Sequence, residues 1–407
     1  MRRRDLFAAL AVPAALPTDT LFQKDAERYW TQLRQEQFLL PDSRAFMNNG
    51  SLGVTPRPVL KAVEDYMENA AALTIPEYEY PRWGYEALKE HRTVAAQFLG
   101  CRMEDLAFTH NATEALSTIA AGIDLKPGDE VLSTDQEHPS GRAGWLLKQA
   151  RYGNPFRETP MPIPPASPDA LADALLSAIG PRTRVLFFSG ILSATGLVMP
   201  IRKICDAARA KGLITVVDGA HVNGQIPIRL DEMGCDYYAG SPHKWMFAPA
   251  GCGILYGRPE MLERLWPSIV TGGWDLKQDH AERFMKVGTN NRAIFEGMIA
   301  GIRFGNEIGW PRIHERIHSL ARIARARAAA LPYVKLLTPD NDALYGSLIS
   351  IDLDKKIADP FMAECLRRKI WIVRGTRIRV SAHIHTRPRD IDAFFGTLEE
   401  VAKKTGA

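Results

Sequence analysis

Cysteine is scarce in this chain, and the little there is lacks pattern. The five cysteines, Cys101, Cys205, Cys235, Cys252 and Cys365, stand far apart in 407 residues with no CxxC pair. An odd number at such spacing does not look like a disulfide framework or a zinc site, so they read as reduced, partly buried thiols. Excess charge is missing too. The formal net charge is only +4, and no basic stripe interleaved with aromatics occurs, which argues against a nucleic-acid partner. Arg322, Arg325 and Arg327 read as one solvated helix face. Long apolar runs are absent as well. The uncharged stretch from Leu6 to Leu16 is too short to span a bilayer and contains Pro13, so stable membrane insertion is not expected. No internal repeat or low-complexity linker interrupts the chain.

What precedes that stretch is informative. Arg2-Arg3-Arg4-Asp5-Leu6-Phe7 has the pattern of a twin-arginine export signal, here residues 1–18. The expectation is a periplasmic protein exported after folding, with a basic start on a cytoplasmic protein as the alternative.

Hydrophobic residues make up 46% of the chain and charged residues 24%, ordinary for a globular protein, and 407 residues allow two domains. From Leu106 to Tyr256 short apolar runs alternate with helical stretches. Arg184-Val185-Leu186-Phe187-Phe188-Ser189 has the composition of a strand buried on both faces. This predicts an α/β fold whose large domain holds a mainly parallel, doubly wound sheet. After about residue 305 long helices give way to Ser347–Ile351 and Ile378–Ser381, the pattern of a smaller α+β C-terminal domain. The expected division is an arm over 19–58 packing with the small domain, a large domain over 59–305 and a small one over 306–407.

The chemistry concentrates at strand ends. Asp218 ends the run Ile214 to Val217, and Lys244 follows the next strand 26 residues later. A strand, a crossover and a second strand bring both to one edge of a parallel sheet. An amine and a carboxylate so placed suit a pyridine-aldehyde cofactor, pyridoxal 5'-phosphate (PLP): the amine forms the Schiff base and the carboxylate keeps the ring nitrogen protonated. A lysine at the end of a buried strand is otherwise costly. His221 could reach the phenolic oxygen of that ring. Ala112 and Thr113 open a helix after a strand, an anion site fit for phosphate, and Ser241 and His243 could add donors. His138, in a loop after another strand, could stack on a flat ring. Arg377 and Arg379 share one strand face, and a guanidinium there could grip a substrate carboxylate through two parallel hydrogen bonds. Each residue taken singly also has a plain reading, as a cap or a surface group.

Taken together these stretches resemble the class V aminotransferases of PLP fold type I, the group that includes cysteine desulfurases and isopenicillin N epimerase. The likeness runs from Asn48 to His385. It implies that Asn48-Asn49-Gly50-Ser51-Leu52-Gly53 is an opening loop with substrate contacts, Asn49 among them. Asn111-Ala112-Thr113-Glu114-Ala115 would be the phosphate turn and His138 the stacking residue. Asp218, His221, Ser241, His243 and Lys244 would form the cofactor motif, with Lys244, Asp218 and His138 catalytic. Gly288-Thr289-Asn290 would reach the phosphate of a neighbouring subunit, so that Thr289 and Asn290 imply a homodimer with shared sites. Arg379 would bind the substrate carboxylate.

Two departures stand out. Trp371-Ile372-Val373-Arg374-Gly375-Thr376 holds no cysteine where desulfurases need one. Gly190 stands where many relatives carry a larger polar residue, which predicts a gap near the ring. Tyr78, Tyr80, Trp83 and Trp274 could line a larger pocket. The resulting expectation is a PLP-dependent enzyme acting on a small or peptide-linked amino-acid substrate by Cα deprotonation, as an aminotransferase. An isopenicillin N epimerase-like epimerase or a C–S lyase is the alternative, and a non-catalytic PLP-binding regulator represents a different class.

Overall fold

A computed structural model describes residues 15–72, 88–277, 279–373 and 375–406. Tyr78, Tyr80 and Trp83, and all but the last four residues of the export pattern, lie outside the described residues.

Among the described residues twelve strands follow in chain order: β1 (Ala45–Phe46), β2 (Leu106–Thr109), β3 (Glu130–Thr134), β4 (Phe156–Thr159), β5 (Thr183–Ser189), β6 (Ile214–Asp218), β7 (Tyr237–Gly240), β8 (Gly253–Gly257), β9 (Lys335–Leu336), β10 (Leu348–Asp352), β11 (Ile370–Trp371) and β12 (Arg377–Ser381). Seven of them form one mixed sheet in the order β2-β8-β7-β6-β5-β3-β4. The run β7-β6-β5-β3-β4 is parallel, while β8 lies antiparallel to both β7 and β2. Helices cover the faces, so central strands are apolar throughout: Val185, Leu186, Phe187 and Phe188 are all fully buried. Each such side chain contributes about 1.5–3 kcal/mol by leaving water. The edge strand β4, Phe156-Arg157-Glu158-Thr159, carries no such signal. Its Arg157 is held by an ion pair to Glu130 on β3.

The register positions the site. Ser189 pairs with Asp218, and Asp218 pairs with Ala239. Three parallel neighbours therefore end level, and the loops after them open on one edge, where open α/β sheets bind ligands. The crossover between β6 and β7 contains a single helical turn, Leu230–Met233, rather than a full helix.

A second, smaller core gathers Ile349, Ile351, Phe361, Ile378, Val380, Phe394 and Phe395 around the antiparallel sheet β12-β10-β9. The N-terminal arm divides between the two cores. Tyr29, Trp30, Leu33 and Phe38 join the larger one, whereas Ala45 and Met47 join the smaller, where β1 pairs with β11. The arm thus contributes to both cores. Among the described residues no helix is long and apolar enough to cross a membrane.

Candidate active site

Lys244 lies on the short helical turn Pro242–Trp245 that follows β7. Two features of the opening loop fix its backbone. Asn49 Nδ2 donates to the Lys244 carbonyl at 2.6 Å. Gly53 passes so close that a Cβ there would come within 2.4 Å of the same oxygen, and only glycine fits. The Lys244 side chain is half-buried. Burial lowers its pKa to about 8, partly offset by Asp218 and reinforced by Arg379. Its Nζ lies 3.0 Å from His221 Nε2. Burial holds His221 well below the usual imidazole range, so it is neutral, and its Nδ1 is buried without a partner.

Asp218 ends β6 fully inside the protein. One carboxylate oxygen accepts the Ala220 N–H at 2.9 Å. Burial pushes its pKa up, against the pull of that bond, of Lys244 and of His138. A carboxylate held so deep costs several kcal/mol until a cation meets it.

Around these two groups a cavity of about 190 Å³ is also lined by His138, Ala112, Thr113, Ser241 and His243. His138 caps the helix Pro139–Tyr152, its Nδ1 accepting the Ser140 N–H at 3.2 Å. Burial first, then Lys244, keeps its pKa below the usual value. Asn111 caps the eleven-residue helix Ala112–Gly122 through the Glu114 N–H. The Ala112 N–H donates to Ser241 Oγ at 3.3 Å. His243 Nδ1 sits 3.2 Å from the Cys252 carbonyl, and its pKa is lowered by burial.

Arg379 comes from the smaller core, on β12 opposite Ser350. Its guanidinium donates to the Ser193 carbonyl at 2.6 Å and to Ser51 Oγ at 3.0 Å, and both serines line the cavity. Its Nε is buried without a partner. Arg377 instead pairs with Asp352 at 2.9 Å on the exposed edge.

Other expected residues are not brought to the cavity. The Asn49 amide is buried between the Lys244 carbonyl and His385 Nε2, so it braces the lysine rather than facing a substrate. Thr289 is exposed, and neither it nor Asn290 lines this chain's cavity. Trp274 lies against Trp266 in a different cavity. The gap expected at Gly190 does not exist. A Cβ there would meet Val222 at 2.7 Å and Ile201 at 2.8 Å, so Gly190 is packed into the core and leaves the ring site unchanged. Conversely, Ser189, Ser193 and the buried Glu137 behind Ser189 escaped notice as site residues, whereas Ser51 belongs to the opening loop expected to contact substrate. Only Glu137 gave a signal, as the acidic neighbour of His138 at a strand end.

The residues present fit PLP. A half-buried amine could take its aldehyde, and a buried carboxylate lacking a cation could take its protonated ring nitrogen. A helix N-terminus beside Thr113, Ser241 and His243 could take its phosphate. The orphaned His221 Nδ1 gives a further polar atom in want of a partner.

Comparison with known proteins agrees. An isopenicillin N epimerase of Amycolatopsis lactamdurans is 32% identical over 397 residues, covering 92% of this chain and 99% of that protein. A probable cysteine desulfurase of Pyrococcus abyssi is 24% identical over 386 residues, covering 88% of this chain and 94% of that one. The apo structure of a cysteine desulfurase from Thermococcus onnurineus superposes with a TM-score of 0.79 at 22% identity, over 92% of this chain and 98% of the other. That likeness bears out the fold-type I architecture. The family model for aminotransferase class-V matches residues 47–393, so this chain belongs to the class V aminotransferases and is a PLP-dependent enzyme of that family.

Proposed function

We propose that the protein epimerises the α-carbon of an amino acid or amino-acid-like group. The match to an isopenicillin N epimerase along nearly the whole of both chains carries this reading. It favours epimerisation over transamination, the first expectation from the sequence. The thiols weigh against desulfuration. None of the five cysteines lines the cavity, and Cys365 sits inside the helix Lys355–Arg367 with burial pushing its pKa to about 12.

In this reading Lys244 would hold the PLP aldehyde, Asp218 the ring nitrogen and His138 the ring face, with Ala112, Thr113, Ser241 and His243 around the phosphate. When bound, PLP supplies an electron sink that acidifies the substrate Cα–H bond. The chain supplies the rest. Lys244, with its pKa lowered to about 8, can take or return a proton at Nζ near neutral pH. His221 is neutral beside it and can share that proton at Nε2. Arg379 orients the substrate carboxylate from the other side of the cavity. The sharing of sites in a homodimer through Thr289 and Asn290, and twin-arginine export, remain proposals supported by sequence resemblance.

The test is incubation with candidate L-amino acids and dipeptides in deuterated water without added keto acid. Deuterium at Cα in both enantiomers is the expected result. A keto-acid product formed only with an added acceptor, or pyruvate release, would replace epimerisation with transamination or elimination. In the same assay Arg379→Ala is expected to raise KM by about 10- to 100-fold with a smaller change in kcat, the loss of a charge-assisted hydrogen-bond pair. An unchanged KM would remove Arg379 from carboxylate binding.

A further inference from the structure

Behind the cavity lies a buried carboxyl group to which the proposed chemistry gives no role. Glu137 is 6% exposed, one residue before His138. Its hydrogen-bond partners are all neutral. Oε1 accepts the Thr134 hydroxyl at 2.5 Å and the Ser189 N–H at 3.1 Å. Thr134 Oγ1 itself accepts the Gln136 N–H, which leaves its proton for Glu137. Oε2 lies 2.5 Å from Ser189 Oγ. Either oxygen can carry the proton of that short contact.

The two arrangements differ in what the cavity sees. Ser189 lines the cavity and is the register partner of Asp218. If Glu137 is charged, Ser189 must spend its only proton on Oε2. If Glu137 is neutral, its own O–H donates to Ser189 Oγ, and the serine proton is free to turn inward. Charge decides between them. The titratable and charged groups around the cavity are Asp218 on β6 with His221 just beyond it, His138 next in sequence, His243 and Lys244 after β7, and Arg379 on β12, which bonds the lining serines. Asp218 acts on Glu137 as a like charge, and among the described residues no hydrogen bond reaches Glu137 from a cation. A second buried anion here would stand beside Asp218 without a cation hydrogen-bonded to it, which disfavours its charged form.

We propose that Glu137 is a positioning residue that holds a proton on Oε2, donates it in a hydrogen bond to Ser189 Oγ, and thereby turns the Ser189 hydroxyl into a donor toward the cavity beside Asp218. No bond to carbon changes and no co-reactant is needed. The burial that raises the Glu137 pKa to about 7, despite the opposing bonds from Ser189 and Thr134, agrees with this protonation. The inference rests on the Lys244–Asp218 cavity being the reacting site, and not on epimerisation as its outcome.

The test is a carbon-13 NMR titration of side-chain carboxyls in cofactor-free protein labelled on glutamate, alongside the pH dependence of the holoenzyme absorbance. One glutamate is expected to titrate near pH 7, and its signal to vanish in Glu137→Gln. Glutamine reproduces the proposed hydrogen bonds, so this variant should keep the holoenzyme spectrum and lose any step near pH 7. Ser189→Ala, which removes a bond that lowers the Glu137 pKa, should move the midpoint upward. Titration of every glutamate below pH 5, or an unmoved midpoint in Ser189→Ala, would overturn the proposal whatever reaction the enzyme performs.

Discussion

Lys244→Ala is expected to reduce turnover by about 10³-fold or more, since it removes both the amine that anchors the cofactor and the group that moves the α-proton. The fold should persist. The Lys244 side chain makes one hydrogen bond, to His221, and its burial lowers its pKa, so truncation relieves an unfavourable charge. The backbone contacts that shape the turn, from Asn49 and past Gly53, do not depend on the side chain. Steady-state kinetics and a thermal melt on the same preparation check this. Activity within tenfold of the parent would remove Lys244 from the chemistry. A lost fold would mean that the side chain holds the structure together.

Asp218→Asn should separate stability from activity. Asparagine keeps the shape and can still accept the Ala220 N–H, but it carries no charge. In the cofactor-free protein the wild-type carboxylate is buried, with its pKa raised. The folded state therefore holds this proton to higher pH than the unfolded chain does, and stability falls as pH rises from the unfolded carboxyl value through the raised folded one. The variant lacks this loss, so it should melt higher than wild type at neutral pH. Turnover should drop by roughly 10²- to 10³-fold, the usual cost of one preorganised electrostatic group. Melting curves across pH, with and without PLP, test both halves. A variant that melts lower than wild type without cofactor, or that turns over normally, would contradict the role given to Asp218.

The Asp218–Lys244 pair was legible because strand ends are legible. Apolar runs mark β6 and β7, parallel neighbours end level, and the polar residues just beyond them must meet. Arg379 was legible for a related reason, since strand alternation places it on one face with Arg377. The sequence did not show that Asp352, opposite Arg377 in the β10–β12 pairing, would claim that arginine and leave Arg379 to bond the cavity serines Ser51 and Ser193. Gly190 misled because an absent side chain reads as a space, whereas Val222 and Ile201 fill it from positions no local pattern connects. Asn49 sat in the right loop, but a 2.6 Å bond to a carbonyl 195 residues away decides its job. Glu137 stayed hidden because its character comes from Thr134 and Ser189, and the second lies 52 residues further along the chain. Residue type and spacing reveal groups at strand ends. They do not reveal what a side chain touches across the fold.

One measurement bears most directly on the central claim, that this cavity anchors PLP through the lysine after β7. Cofactor-supplied protein is treated with borohydride, digested, and its peptides weighed. A single reduced pyridoxyl adduct on Lys244 is the predicted result. An adduct on another lysine, or none at all in protein that retains PLP, would contradict it.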